Sequence, residues 1–138
     1  MIPTYPTPKS LILCVADDQA LLRYEQALLE RAGYAVLMAE SPQQALRLVT
    51  MCQCDAVLLD YEMPFQSGHE VAFDIKRASP DAAIILLSGS EVPIRSLALV
   101  DAVVPKLEAR QQLLPMIAEL CGRNRDAPGK RERFEFED

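Results

Sequence analysis

Four short apolar runs, each leading directly or through one proline into polar side chains, constrain the fold of this chain most. They cover residues 11–16, 56–59, 83–87 and 102–104. Runs of this length between turn signals are typical of strands buried on both faces of a parallel sheet. The carboxyl ends of such strands share one edge of the sheet, where ligands bind. The side chains that follow the runs should therefore meet there, and they are Asp17, Asp18, Asp60, Ser88 and Lys106.

Helical patterns separate these runs and complete an alternating order of strands and helices. Leucines recur at a seven-residue spacing over residues 19–32, which predicts a helix, and Gly33 predicts its C-terminal end. Ser41 and Ser67 each begin a capping signal for a later helix, and a further strand is predicted over residues 34–38. We therefore predict an α/β fold of the flavodoxin-like, doubly wound class, (βα)5, with a five-stranded parallel sheet and helices on both faces.

The predicted cluster has the chemistry of a phosphoryl-transfer site. Neighbouring carboxylates repel one another unless a cation intervenes, and oxygen ligands without His or Cys favour Mg²⁺. Lys106 adds a fixed positive charge, and the Ser88 hydroxyl donates a hydrogen bond. Asp60 can act as a nucleophile that forms an aspartyl phosphate. A competing interpretation is that Asp17 or Asp18 merely caps the first helix.

Four motifs in this order resemble the receiver domains of two-component response regulators. They occupy residues 15–18 (Val-Ala-Asp-Asp), 58–64 (Leu-Leu-Asp-Tyr-Glu-Met-Pro), 86–89 (Leu-Leu-Ser-Gly) and 104–106 (Val-Pro-Lys). The resemblance extends from about Ser10 to Cys121. It implies a signalling switch that receives a phosphoryl group from a sensor histidine kinase or a histidine phosphotransfer protein, and that relays its state by contact with a downstream protein.

The resemblance also implies a role for each matched position. Asp60 is the phosphoacceptor, and Asp18 and Asp60 are direct Mg²⁺ ligands. Asp17 holds a metal-bound water, and the backbone carbonyl of Glu62 completes the protein's share of the coordination. The Glu62 side chain lies at the position that tunes hydrolysis of the phosphoryl group. Two residues grip the phosphoryl oxygens, and they are Ser88 and Lys106.

The segment between Ser88 and Lys106 departs from the family pattern. It is about one helical turn shorter than in typical receivers, and Pro93 within it predicts a short or irregular fourth helix. Receivers usually carry Tyr or Phe three residues before the lysine, where this chain has Val103. Because that aromatic ring reports phosphorylation to the fourth-helix face, its replacement puts the usual output switch in doubt.

Length and charge bound the remaining possibilities. The 138 residues suit one domain, predicted over residues 10–121, with a flexible leader at 1–9 and a charged, disordered tail at 122–138. The net charge of −6 argues against nucleic-acid binding, and no segment predicts a membrane span. The cysteines are expected to be reduced thiols in a cytoplasmic protein. The single histidine, His69, is expected to be solvated at a helix start.

Two other classes of function remain open. One is a phosphorylation-independent interaction module that keeps the receiver fold. The other is a Mg²⁺-dependent phosphatase of the haloacid-dehalogenase type, which needs a second Asp two residues after its nucleophile. Glu62 occupies that position after Asp60, so the phosphatase is disfavoured. The resemblance instead implies that the chain catalyses only its own phosphorylation and dephosphorylation, and that it is not a turnover enzyme.

Overall fold

Strands and helices alternate along the chain as the sequence predicts. The computed structural model describes residues 9–64 and 66–125, without the side chains of residues 123–125. The strands are β1 (Leu11–Val15), β2 (Ala35–Ala39), β3 (Ala56–Asp60), β4 (Ala83–Ser88) and β5 (Ala102–Pro105). The helices are α1 (Gln19–Arg31), α2 (Pro42–Met51), α3 (Gly68–Ala78), α4 (Ile94–Leu97) and α5 (Ala109–Arg125), and a 3-10 turn covers Lys106–Glu108.

All strand pairs are parallel, and the five strands form one sheet in the order β2-β1-β3-β4-β5. The sheet has a buried core on each face. Alternate strand residues such as Ile12 and Leu58 pack with α1 and α5, whereas Leu13 and Leu59 pack with α2 and α3. This arrangement confirms the predicted flavodoxin-like α/β class. Asp60 follows Leu58 by two residues, so strand alternation directs it toward the face that α1 and α5 cover.

Local signals explain where several helices begin and end. The Ser41 hydroxyl accepts a hydrogen bond from Gln44 N at 3.2 Å, with Pro42 at the first helical position of α2. Ser67 caps α3 in the same way. Gly33, just after α1, adopts φ +98°, a left-handed conformation that costs glycine little. The chain therefore turns sharply into β2 there.

The segment before β5 confirms the short fourth helix, because α4 covers only Ile94–Leu97. At the other end, α5 continues to Arg125, past the boundary predicted at residue 121. The rest of the predicted tail, and the leader up to residue 8, lie outside the described residues. None of the four cysteines, all within the described part, forms a disulfide. No helix in the described ranges is long and apolar enough to span a membrane.

Candidate functional site

Three predicted site residues meet at the carboxyl edge of the sheet. Asp60 ends β3 and is 4% exposed, and Ser88 ends β4 and is also buried. Lys106 directly follows β5, and its Nζ lies 3.0 Å from Asp60 Oδ1. Because β3, β4 and β5 are parallel neighbours, the ends of these strands bring a carboxylate, a hydroxyl and an ammonium group together.

The side chain of Glu62, which the resemblance places at the position that tunes hydrolysis, contacts these groups directly. Its Oε2 lies 2.9 Å from Lys106 Nζ. Its Oε1 accepts hydrogen bonds from Gly89 N at 2.7 Å, from Ser88 Oγ at 3.1 Å and from Ser90 Oγ at 3.2 Å. One carboxylate therefore contacts the ammonium group and the loop after β4 at the same time.

The charges of the site shift one another's pKa values. Burial raises the pKa of Asp60, although the hydrogen bond and charge of Lys106 act in the opposite direction. Partial burial would also raise the pKa of Glu62, but hydrogen bonds from Lys106 and Gly89 outweigh it and lower the pKa to about 2. Desolvation opposes the charge of Lys106, yet hydrogen bonds to Glu62 and Asp60 raise its pKa. At neutral pH, Lys106 is thus a cation held against the Glu62 carboxylate.

Asp17 and Asp18 lie in the exposed turn between β1 and α1. Asp18 Oδ1 accepts hydrogen bonds from Ala20 N at 2.9 Å and Leu21 N at 3.3 Å, so Asp18 is the N-cap of α1. Within residues 9–64 and 66–125, no three carboxylate, imidazole or thiol side chains are grouped closely enough to hold a metal ion. The roles of Asp17 and Asp18 toward Mg²⁺ therefore stay a prediction.

Sequence reasoning missed Glu25, which lies on the buried side of α1. It is 2% exposed and is aligned with Leu22 and Leu29, the buried residues on either side of it in α1. Among the residues that the structure describes, none donates a hydrogen bond to its Oε1. Burial, and secondarily the charge of Asp60, raise its pKa to about 8. The available signal was a charged residue at a position of the apolar helical stripe.

The expected position of His69 at a helix start is confirmed, but the side chain is not fully exposed to solvent. His69 is half-buried at the start of α3, and its Nδ1 lies 3.0 Å from Oγ of Ser96, which is fully buried in α4. The contact joins residues 27 positions apart in the chain. A capping signal around Ser67 predicts the helix start, but it does not indicate which neighbouring element the helix meets.

Comparison with known proteins agrees with this geometry. Residues 12–117 match the family described as the response regulator receiver domain. Response regulator MprA of Mycolicibacterium vanbaalenii is 31% identical over 133 residues, which are 92% of this chain and 58% of that protein. The phosphate regulon transcriptional regulatory protein PhoB of Pseudomonas aeruginosa is 39% identical over 79 residues, 55% of this chain and 34% of that protein. The chain spans about half the length of the curated relatives it matches.

Solved structures show the same architecture. A CheY-like receiver domain from Methanospirillum hungatei has a TM-score of 0.80 at 26% identity, covering 85% of this chain and 97% of that one. The response regulator TrrA from Thermotoga maritima, solved in complex with Mg(2+)-BeF, has a TM-score of 0.75 at 32% identity. That match covers 80% of this chain and 98% of TrrA.

Proposed function

Because this chain belongs to the response regulator receiver family, we propose that it is a phosphoacceptor switch of two-component signalling that carries its phosphoryl group on Asp60. The donor is a phosphohistidine on a sensor histidine kinase or a histidine phosphotransfer protein. The setting is the cytoplasm, as the sequence leads us to expect. Residues 10–121 form the receiver, and its state passes to a downstream protein by contact.

One observation supports this function best, namely the ion pair of 3.0 Å between Asp60 Oδ1 and Lys106 Nζ at the edge of the sheet. In the proposed step, an Asp60 carboxylate oxygen forms a bond to phosphorus while the bond between phosphorus and the donor nitrogen breaks. The imidazole leaves with that electron pair. Lys106 and Ser88 then offer an N–H and an O–H donor to phosphoryl oxygens, where negative charge is concentrated.

The oxygen donors at this edge suit Mg²⁺ in type. The two hydrogen bonds that Asp18 accepts both go to its Oδ1. The hydrogen bond and the ion pair of Asp60 also involve its Oδ1. Among the described residues, the Oδ2 atom of each carboxylate therefore has no such contact. We propose that Asp18, Asp60 and the Glu62 carbonyl bind the ion, with Asp17 holding one of its waters. When bound, Mg²⁺ supplies positive charge that stabilises the transferring phosphoryl group.

A second candidate is the phosphorylation-independent interaction module. It is favoured by the contacts of Glu62, which already engages Ser88 and Lys106 without a phosphoryl group. On that hypothesis, Asp60 and Lys106 serve only to hold the loop after β4. The two candidates differ in whether Asp60 accepts a phosphoryl group at all.

Labelling with a small phosphodonor separates the two candidates. With Mg²⁺ and acetyl phosphate, the wild-type chain should gain one acid-labile phosphoryl group, measured by intact mass. Asp60→Asn is nearly isosteric and should keep the fold, checked by circular dichroism, but should not label. Label that persists on this variant, or that maps to Asp17, contradicts the assignment of Asp60. A wild-type chain that does not label supports the interaction module.

A further inference from the structure

The Glu62 carboxylate occupies the groups that the proposed function assigns to a phosphoryl group. Its Oε1 accepts a hydrogen bond from Gly89 N at 2.7 Å and lies 3.1 Å from Ser88 Oγ, whose single proton is shared with Ser90 O at 2.7 Å. Its Oε2 is paired with Lys106 Nζ at 2.9 Å. A carboxylate and a phosphoryl group are both anions whose oxygens seek the same N–H and O–H donors. The donors expected to hold phosphate therefore already bind an anion that belongs to the chain.

The electrostatics do not favour two such anions in one place. Lys106 is the cation shared by Asp60, at 3.0 Å, and Glu62, at 2.9 Å. Phosphorylation replaces the single negative charge of the Asp60 carboxylate with a phosphoryl group of about −1.5 to −2, so the site gains roughly one half to one negative charge at neutral pH. The Glu62 carboxylate would then face a like charge across the same ammonium group, and like charges in close contact destabilise each other.

Glu62 also has room to leave. Its side chain is 39% exposed, and it belongs to the loop between β3 and α3. Its contact with Ser90 Oγ, at 3.2 Å, involves a residue outside the predicted phosphoryl-binding set. Release of Glu62 would therefore change both the charge exposed to solvent and the anchoring of the loop after β4.

We propose that Glu62 is an internal occupant of the phosphoryl-binding groups, and that phosphorylation of Asp60 displaces it. This inference rests on the proposed function. The phosphoryl group takes over Ser88, Gly89 N and Lys106, while the Glu62 carboxylate moves into solvent and Ser90 Oγ loses its acceptor. Displacement of an acidic side chain thus supplies the switching movement at a site where Val103 has no ring to move. Downstream proteins recognise the exposed carboxylate and the freed loop.

The test compares wild type with Glu62→Ala, which removes the occupant. Glu91→Gln is the matched control, because it removes one negative charge from the same loop region and touches none of these groups. With Mg²⁺, we measure the rate of labelling by acetyl phosphate and the affinity for beryllofluoride, read from the amide NMR signal of Gly89. Both should rise roughly tenfold in Glu62→Ala, since one charge-assisted contact no longer competes. The Glu91→Gln control should match wild type.

The outcomes separate this inference from the proposed function. Labelling and beryllofluoride affinity that equal those of wild type in Glu62→Ala, or fall below them, overturn the displacement and leave the function intact. If no variant labels, the proposed function fails. In that case, tighter beryllofluoride binding to Glu62→Ala than to wild type still supports Glu62 as the occupant of the phosphoryl-binding groups. Unchanged binding overturns both the proposed function and the displacement of Glu62.

Discussion

His69 Nδ1 lies 3.0 Å from Ser96 Oγ, so one side-chain contact connects the start of α3 to the short helix α4. Ser96 is fully buried, whereas its neighbours Arg95 and Leu97 in α4 are exposed. This helix covers only Ile94–Leu97, and no side chain of a described residue caps its start. The contact with His69 is therefore a principal polar anchor of α4 on the rest of the fold.

We predict that this anchor stabilises the native state. Ser96→Ala and His69→Ala should each lower the free energy of unfolding, and the double variant should lose less than their sum. The coupling should be about 1 kcal/mol, the usual size of a hydrogen bond between side chains in contact. Denaturant unfolding of the four proteins in this cycle measures it. Strictly additive effects would show that the contact contributes nothing.

The buried Glu25 should make stability depend on pH. Its pKa is raised from 4.5 to about 8 by burial, with Asp60 adding to the shift and Lys106 opposing it. Between these two values the folded state binds more protons than the unfolded state. Its contribution to stability is therefore greatest below about pH 4.5 and decreases as pH rises toward 8.

Glu25→Gln tests this directly, because the amide is nearly isosteric and does not ionise. Relative to this variant, wild type should lose stability between about pH 5 and pH 8, by on the order of 4 kcal/mol. Unfolding by urea at several pH values gives the comparison. Glu30→Gln, on the exposed side of α1, should retain the wild-type slope. Parallel pH profiles for wild type and Glu25→Gln would contradict the raised pKa.

Mg²⁺ should raise the melting temperature if the proposed ligands bind it. At ten times its Kd, a ligand that binds only the folded state stabilises it by ~1.4 kcal/mol. Asp18→Asn should abolish this gain while keeping the cap of α1, because Asn caps helices as well as Asp does. Thermal melts with and without millimolar Mg²⁺ measure the effect. If Mg²⁺ leaves the melting temperature of the wild type unchanged, the result favours the interaction module.

Gly68, the first residue of α3, admits no side chain. A Cβ there would lie 2.6 Å from Tyr61 Cδ1 and 2.9 Å from the Tyr61 backbone, directly after Asp60. Gly68→Ala should therefore cost about 1–3 kcal/mol of unfolding free energy. Gly122→Ala in α5 is the control, since no described atom outside the backbone of its own helix lies within 4 Å of its Cβ position. That control should gain about 0.5–1 kcal/mol from helix propensity, and equal effects at the two glycines would refute the clash.

The sequence by itself determined the order of the elements and the edge of the sheet where the site lies. The neighbouring strands β3 and β4 end on Asp60 and Ser88, and Lys106 directly follows β5 at the edge of the sheet. Parallel strands place those ends side by side, so the meeting of these three residues follows from pattern and topology. The caps at Ser41 and Ser67 followed as well, because a cap contacts a backbone amide only three residues away.

Only the tertiary structure decided which side chains far apart in the sequence contact one another. Glu62 reaches Ser88 across 26 residues of sequence, and His69 reaches Ser96 across 27. Such contacts depend on the rotamer and on the packing of separate elements, neither of which a local pattern encodes. Glu25 is a different case, because its position on the apolar stripe of α1 can be read from the neighbouring sequence. Its burial, however, depends on the packing of α1 against the sheet, close enough to Asp60 for the two charges to interact. That packing also leaves Oε1 without a hydrogen-bond donor among the described residues.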